Sequence, residues 1–165
     1  MDLIIQPILQ NTSTYLKDSQ HLLQKCHDLI IDSTTVFLYS MDFESLYTNI
    51  QKIHAVSIIT EFMFKYLDPR YITSFAFFKI LGLIFDFNYF YYKNTKSVKT
   101  YFKKTNELSM GCICGPSIAS LFVYILEIKW LRIHKPLFYG RFVDDICLIS
   151  NEKLNERDFK SYFLN

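Results

Sequence analysis

The placement of three acids constrains this chain more than any other feature. Asp42 closes VFLYSMD (36–42), an apolar, β-branched and aromatic run without a breaker, which predicts a buried strand. Asp144 and Asp145 stand between LFYGRFV and ICLIS, which predicts strand, acidic turn, strand. Each carboxylate is flanked by residues that belong in a core, where desolvation and mutual repulsion both oppose ionisation.

A divalent cation removes that conflict. Mg²⁺ takes hard oxygen ligands, usually one or two carboxylates plus a substrate's phosphates. Two such ions about 3.5–4 Å apart activate a 3′-hydroxyl and stabilise a departing pyrophosphate in nucleotidyl transfer. Taken alone, Asp144-Asp145 is a weak signal and reads first as an ordinary hairpin turn, since acids are common there.

The remaining segments supply the frame. Asp18 caps a helix whose apolar residues fall at 22, 23, 26, 29 and 30. FESLYTNI is short and turn-rich, residues 51–67 follow a helical period, and DPR (68–70) is a break whose Pro69 opens a further helix over 71–85. FNYFYYKN and VKTYFKK flank NTKS as the strands of a hairpin. MGCICGPS (110–117) holds Gly111, Gly115 and Pro116 and reads as a loop before an apolar helix over 117–130; NERDFKSYFLN closes the chain as a helix. No repeat or linker interrupts this order, which predicts an α+β fold with an antiparallel sheet packed on helices. At 165 residues the chain has room for one domain.

With 50% hydrophobic residues and a mean hydropathy of +0.11, the chain buries a core rather than staying disordered. Its 18 basic and 16 acidic residues nearly cancel, so a polyanion partner must be sought in local clusters. One cluster exists: Lys93, Lys96, Lys99, Lys103 and Lys104, with Tyr101 and Phe102 between them and no acid. Such a strip tracks a phosphate backbone, or is simply a solvated hairpin face. Cys26, Cys112, Cys114 and Cys147 are no disulfide framework. The four histidines share no ligand spacing with them, and Cys112-x-Cys114 has no second pair, so these read as structural. MDLIIQPILQ lacks a basic region and a cleavage site, Lys79 and Asp86 interrupt 71–92, and Glu127 interrupts 117–128. The expectation is an intracellular protein of nucleus or cytoplasm, without signal peptide, transmembrane helix or membrane partner.

Three segments in this order, YSMDFESLYTNI (39–50), LSMGCICGPSIASLFVYILE (108–127) and YGRFVDDICLIS (139–150), resemble the central palm motifs of reverse transcriptases. The likeness is greatest to the Penelope-like retroelement branch, relatives of telomerase, whose first palm motif commonly reads as an aspartate followed by a SLYTNI-like string. Ser45 to Ile50 match that string letter for letter. TYLKDSQHLLQK (14–25) and FKSYFLN resemble the flanking segments, so the similarity runs through most of the chain.

The resemblance implies an RNA-directed DNA polymerase that adds deoxynucleotides to a primer 3′ end with two Mg²⁺ ions, or Mn²⁺ in their place. Asp42 and Asp144 would bridge the ions, Asp145 would be the neighbouring acid, and the Phe43 carbonyl a further metal contact. Tyr47 would pack under the sugar and exclude a 2′-hydroxyl. Met110, Gly111 and Pro116 would support the template base and incoming nucleotide. RNA template, DNA primer, dNTPs and other polymerase segments are the implied partners. Residues 1–165 would form one palm region, truncated on both sides, with fingers and thumb largely missing. The sequence departs from the family pattern at Lys104, where a glutamine is usual, at Glu107 (glycine), at Ser120 (asparagine) and at Phe142, where tyrosine is commoner. A remnant that only binds nucleic acid or protein, and a structural domain whose acids are turn residues, are the rival expectations.

Overall fold

The computed structural model describes residues 1–32, 35–95 and 97–163. The elements run α1 (Asp2–Gln10), α2 (Ser19–His27), β1 (Phe37–Asp42), α3 (Leu46–Asn49), α4 (Lys52–Met63), α5 (Ser74–Asp86), β2 (Tyr89–Lys93), β3 (Lys99–Lys103), α6 (Gly115–His134), β4 (Phe138–Phe142), β5 (Asp145–Ser150) and α7 (Glu156–Ser161). The mixture of helices with antiparallel sheet is the α+β class expected. Residues 45–122, with Met1, form one compact unit; residues 2–44 and 123–165 form the other.

The second unit holds a three-stranded antiparallel sheet in the order β1-β5-β4. Exposure alternates along β1, so Tyr39 and Met41 face inward while Leu38, Ser40 and Asp42 face out. The inward face meets a cluster of Trp130 from α6, Phe159 from α7, and Tyr139, Ile146 and Leu148 from the sheet. Trp130 meets Phe159 edge to face, with ring centroids 5.0 Å apart. Along the free edge of β4 the backbone of Thr14 to Leu16 continues the pairing: Arg141 N donates to Thr14 O at 2.7 Å and Leu16 N to Arg141 O at 2.9 Å. That covers an edge which would otherwise offer unpaired groups. A Cβ at Gly140 would lie 2.8 Å from Leu16 Cδ1 and 2.8 Å from Phe138 Cζ, so those two side chains would have to shift to admit one.

The first unit is built from α3, α4, α5, the β2–β3 hairpin and the first turns of α6. Ala55, Val56, Ile59 and Met63 of α4 are buried, as are Phe77, Leu81 and Phe85 of α5. One sequence expectation needs correction. The helix α5 starts at Ser74 under a Thr73 cap, whose hydroxyl accepts from Ala76 N at 3.2 Å, and not at Pro69. Asp68 explains this: its carboxylate accepts from Arg70 N at 2.9 Å, so Pro69 is spent inside an Asx turn. The amino-terminal stretch, assigned no element from its sequence, forms α1 and buries Ile5 and Leu9.

Lys52, the first residue of α4, donates to Asp86, the last of α5, at 2.5 Å. Each charge sits at the unfavourable end of its own helix dipole, and each offsets the other. The Lys52 ammonium holds the Asp86 carboxyl below its ordinary range. A carboxyl depressed by folding stabilises the fold above its unfolded pKa of about 3.9 and loses that contribution as pH falls through the depressed value. The difference in melting temperature between the wild type and Asp86→Asn should therefore be present at neutral pH and shrink below about pH 3.9; a difference unchanged in acid would refute the pairing.

Candidate active site

The sheet register sets the acids. Asp42 at the end of β1 lies directly opposite Asp145 at the start of β5. Phe43 N donates to Asp144 O at 3.2 Å, which extends the pairing one step past the strand. Phe142 pairs with Asp145, so β4 and β5 are joined by only two residues, Val143 and Asp144. Asp42 and Asp145 share the sheet face that turns away from the Trp130 cluster, and both are exposed; Asp144 is half-buried. Burial thus contributes less to the conflict among the acids than the sequence suggested. Repulsion remains, since like charges directly opposite across an antiparallel pair destabilise it.

A two-residue hairpin of this kind needs left-handed backbone, which glycine or asparagine normally supplies. Here Val143 takes it, with φ 56°. A β-branched residue in that region is strained by about 1–3 kcal/mol and persists only where its surroundings hold it. The holder is Arg141, whose Nη1 donates to Val143 O at 2.6 Å. Arg141 is 5% exposed and its guanidinium Nε donates to Glu127 of α6, which is 0% exposed. Arg141 Nη2 lies 3.4 Å from the second Glu127 oxygen, and Tyr139 OH donates to the first at 2.8 Å. Burial, and then the Glu127 charge, push the Tyr139 hydroxyl far above its ordinary pKa, so it stays a donor.

Sequence reasoning missed Glu127 as a site residue. The signal was present: a lone acid in an apolar helix and a lone base in an apolar strand need a partner if both are buried. Removing one member leaves the other uncompensated, at about 3–5 kcal/mol. Glu127→Ala should lower the urea midpoint accordingly, and a shift under about 1 kcal/mol would show that the pair does not hold the turn.

The first unit holds the other candidates. Tyr47 lies on the single turn α3, half-buried, and Met110 and Gly111 are exposed. Pro116 is exposed in the first turn of α6, where its missing N–H leaves no helical bond unmade. A Cβ at Gly111 would meet only Ser109 Oγ, at 3.9 Å, so that backbone is open to a flat ligand. The glycine the loop demands is Gly115: a Cβ there would lie 2.9 Å from Ser109 O and 3.6 Å from the Tyr47 ring. Gly115→Ala should therefore lower the melting temperature, by overpacking of about 1–3 kcal/mol, while Gly111→Ala leaves it unchanged. Equal effects would contradict this assignment.

The hairpin is exposed along both strands. Its register gathers Tyr89, Tyr91 and Lys93 with Lys103, Tyr101 and Lys99 on one face, and Phe90 and Tyr92 with Phe102 and Thr100 on the other. Lys99 Nζ lies 4.7 Å from the Tyr91 ring centre. Lys104 donates to Glu107 at 3.1 Å and leaves the strip electrostatically, and Lys96 lies outside the described residues. Among the described residues no three His, Cys, Asp or Glu side chains gather as a metal cage, and no helix is long and apolar enough to cross a membrane.

No protein-family model and no curated protein matches the chain. Solved structures do. Apo telomerase from Candida tropicalis truncated from its C-terminal domain superposes with a TM-score of 0.69 at 15% identity, over 96% of this chain and 36% of that one. Candida albicans telomerase in complex with a TWJ fragment of telomeric RNA gives 0.69 at 12% identity, over 98% and 30%. The Candida tropicalis telomerase in complex with the corresponding RNA fragment gives 0.66 at 13% identity, over 96% and 30%. At this identity the similarity shows the fold alone, that of these telomerase structures, of which the chain spans about a third.

Proposed function

We propose that the chain is the palm-bearing part of an RNA-directed DNA polymerase of Penelope-like or telomerase-like type. The observation that carries this is the pairing of Asp42 with Asp145 across β1 and β5, with Asp144 in the adjoining turn, on a telomerase-like fold. These carboxylates fit Mg²⁺. Asp42 and Asp145 present hard oxygens at exposed strand ends, with Asp144 in the adjoining turn, and an open arrangement of this kind suits an ion that keeps waters and takes phosphate oxygens. When bound, the ions would supply charge stabilisation and an activated 3′-hydroxyl; Mn²⁺ would replace Mg²⁺.

In this reading Asp42 and Asp144 hold both ions, Asp145 is the neighbouring acid, and the Phe43 carbonyl is a further ligand. The Glu127–Arg141 pair fixes the turn, because positioning dominates phosphoryl-transfer chemistry. Tyr47 orients the sugar and excludes a 2′-hydroxyl, while Met110, Gly111 and Pro116 support the base pair. Lys93, Lys99 and Lys103, alternating with tyrosines, take the phosphates of template or primer. The neighbours solved with telomeric RNA support an RNA partner. Other polymerase segments, fingers and thumb among them, would complete the grip on primer and template.

A second reading, a remnant that binds nucleic acid or protein without synthesis, is favoured by one contact. Lys104 stands where the family pattern has a nucleotide-contacting glutamine, and it is engaged by Glu107.

The polymerase reading predicts that the chain, joined to fingers and thumb sequence, extends a primer on RNA with Mg²⁺, and that Asp144→Asn abolishes extension. Asp145→Asn should in addition stabilise the metal-free chain by about 0.2–1 kcal/mol, because it relieves a cross-strand like-charge pair. Extension that survives Asp144→Asn would sink the metal assignment; RNA binding without any extension would favour the remnant.

A further inference from the structure

Two thiols that read as structural in the sequence stand together in the first unit. Cys112 and Cys114 have their sulfurs 3.3 Å apart in the loop before α6. Two backbone bonds fold that loop on itself, Cys112 N to Ser109 O at 3.2 Å and Gly115 N to Cys112 O at 2.9 Å. Both thiols are half-buried, whereas Ile113 between them is 93% exposed, so the loop is open to a small reagent. A disulfide needs about 2.05 Å between sulfurs, so closure asks for movement on the order of 1 Å.

We propose that Cys112 and Cys114 form a reversible dithiol site that exchanges with low-molecular-weight disulfides. The Cys112 thiolate attacks one sulfur of the reagent disulfide; the reagent's S–S bond breaks, and the departing thiolate takes up the proton that Cys112 lost. Cys112 then carries a mixed disulfide. Cys114 gives up its proton and attacks the Cys112 sulfur, which expels the second reagent thiol. The two cysteines are oxidised by two electrons and the reagent is reduced to two thiols.

The order of attack follows from the surroundings. Burial, and then the hydrogen bond and charge of Cys112, push the Cys114 thiol up to about 11, so it is a poor first nucleophile. Once Cys112 is capped, its two contributions are gone and only burial still disfavours the Cys114 thiolate. The first step thereby prepares the second.

Closure would act on its neighbours. The Cβ that Gly115 lacks would lie 3.6 Å from both Cys112 Cβ and the Tyr47 ring, so the loop and Tyr47 share one tight junction. The thiol chemistry does not depend on the polymerase reading.

The test treats the reduced 165-residue chain with oxidised glutathione, quenches in acid, alkylates and maps the fragments by mass. The fragment holding both residues should lose two hydrogens and resist alkylation, while Cys26 and Cys147 are alkylated. Cys114→Ser should instead retain glutathione on Cys112. Alkylation of both residues after oxidation, or a bridge from either one to Cys26 or Cys147, would overturn the proposal. The two readings fail separately: a bridge that forms while Asp144→Asn still extends primers would remove only the polymerase assignment.

Discussion

The buried pair of Glu127 and Arg141 is the interaction on which the rest of the sheet's working end depends. Two opposite charges taken out of water roughly break even in energy, so the pair is weak evidence of stability for its own sake. Its value is geometric. One guanidinium joins α6 to β4 and reaches past the strand to the carbonyl of Val143, the single residue whose backbone must turn left-handed for the acidic hairpin to close. Tyr139, on the same face of β4, spends its hydroxyl on the same carboxylate. Helix, strand and turn are tied at one point, and the carboxylates emerge beside it.

The arrangement reverses the economics suggested by the acids' apolar neighbours. The charges at depth are Glu127 and Arg141, which have each other; Asp42 and Asp145 are exposed and Asp144 is half-buried. Their conflict is mutual rather than with the core, and it is the kind that a cation bound from solvent relieves. The lysines follow a similar logic in the first unit, where Lys99 rests on Tyr91 and Lys104 is neutralised by Glu107. A net charge of +2 conceals both local clusters.

Much of the fold was legible because local chemistry announced it. Asp18 accepts from His21 N at 2.8 Å as an N-cap should, β1 and β5 were visible as apolar runs, and the hairpin flanks its turn as read. The misses have physical causes. Pro69 promised a helix start, but the Asp68 side chain captured the backbone first. Gly111 and Gly115 look alike in a string of letters, and only the packing of Ser109 and Tyr47 distinguishes the glycine that must stay small. Glu127 and Arg141 are 14 residues apart, and their pairing depends on how α6 crosses the sheet, which no local pattern encodes. The proximity of Cys112 and Cys114 likewise comes from a turn whose hydrogen bonds reach to Ser109 and Gly115.

The central claim is that the ends of β1 and β5 form a cation site, and the most direct measurement is site-resolved line broadening by Mn²⁺ in the NMR spectrum of the chain. Signals of residues 42–43 and 144–145 should broaden first and recover when excess Mg²⁺ is added. Broadening centred elsewhere, or none at these residues, would contradict the account.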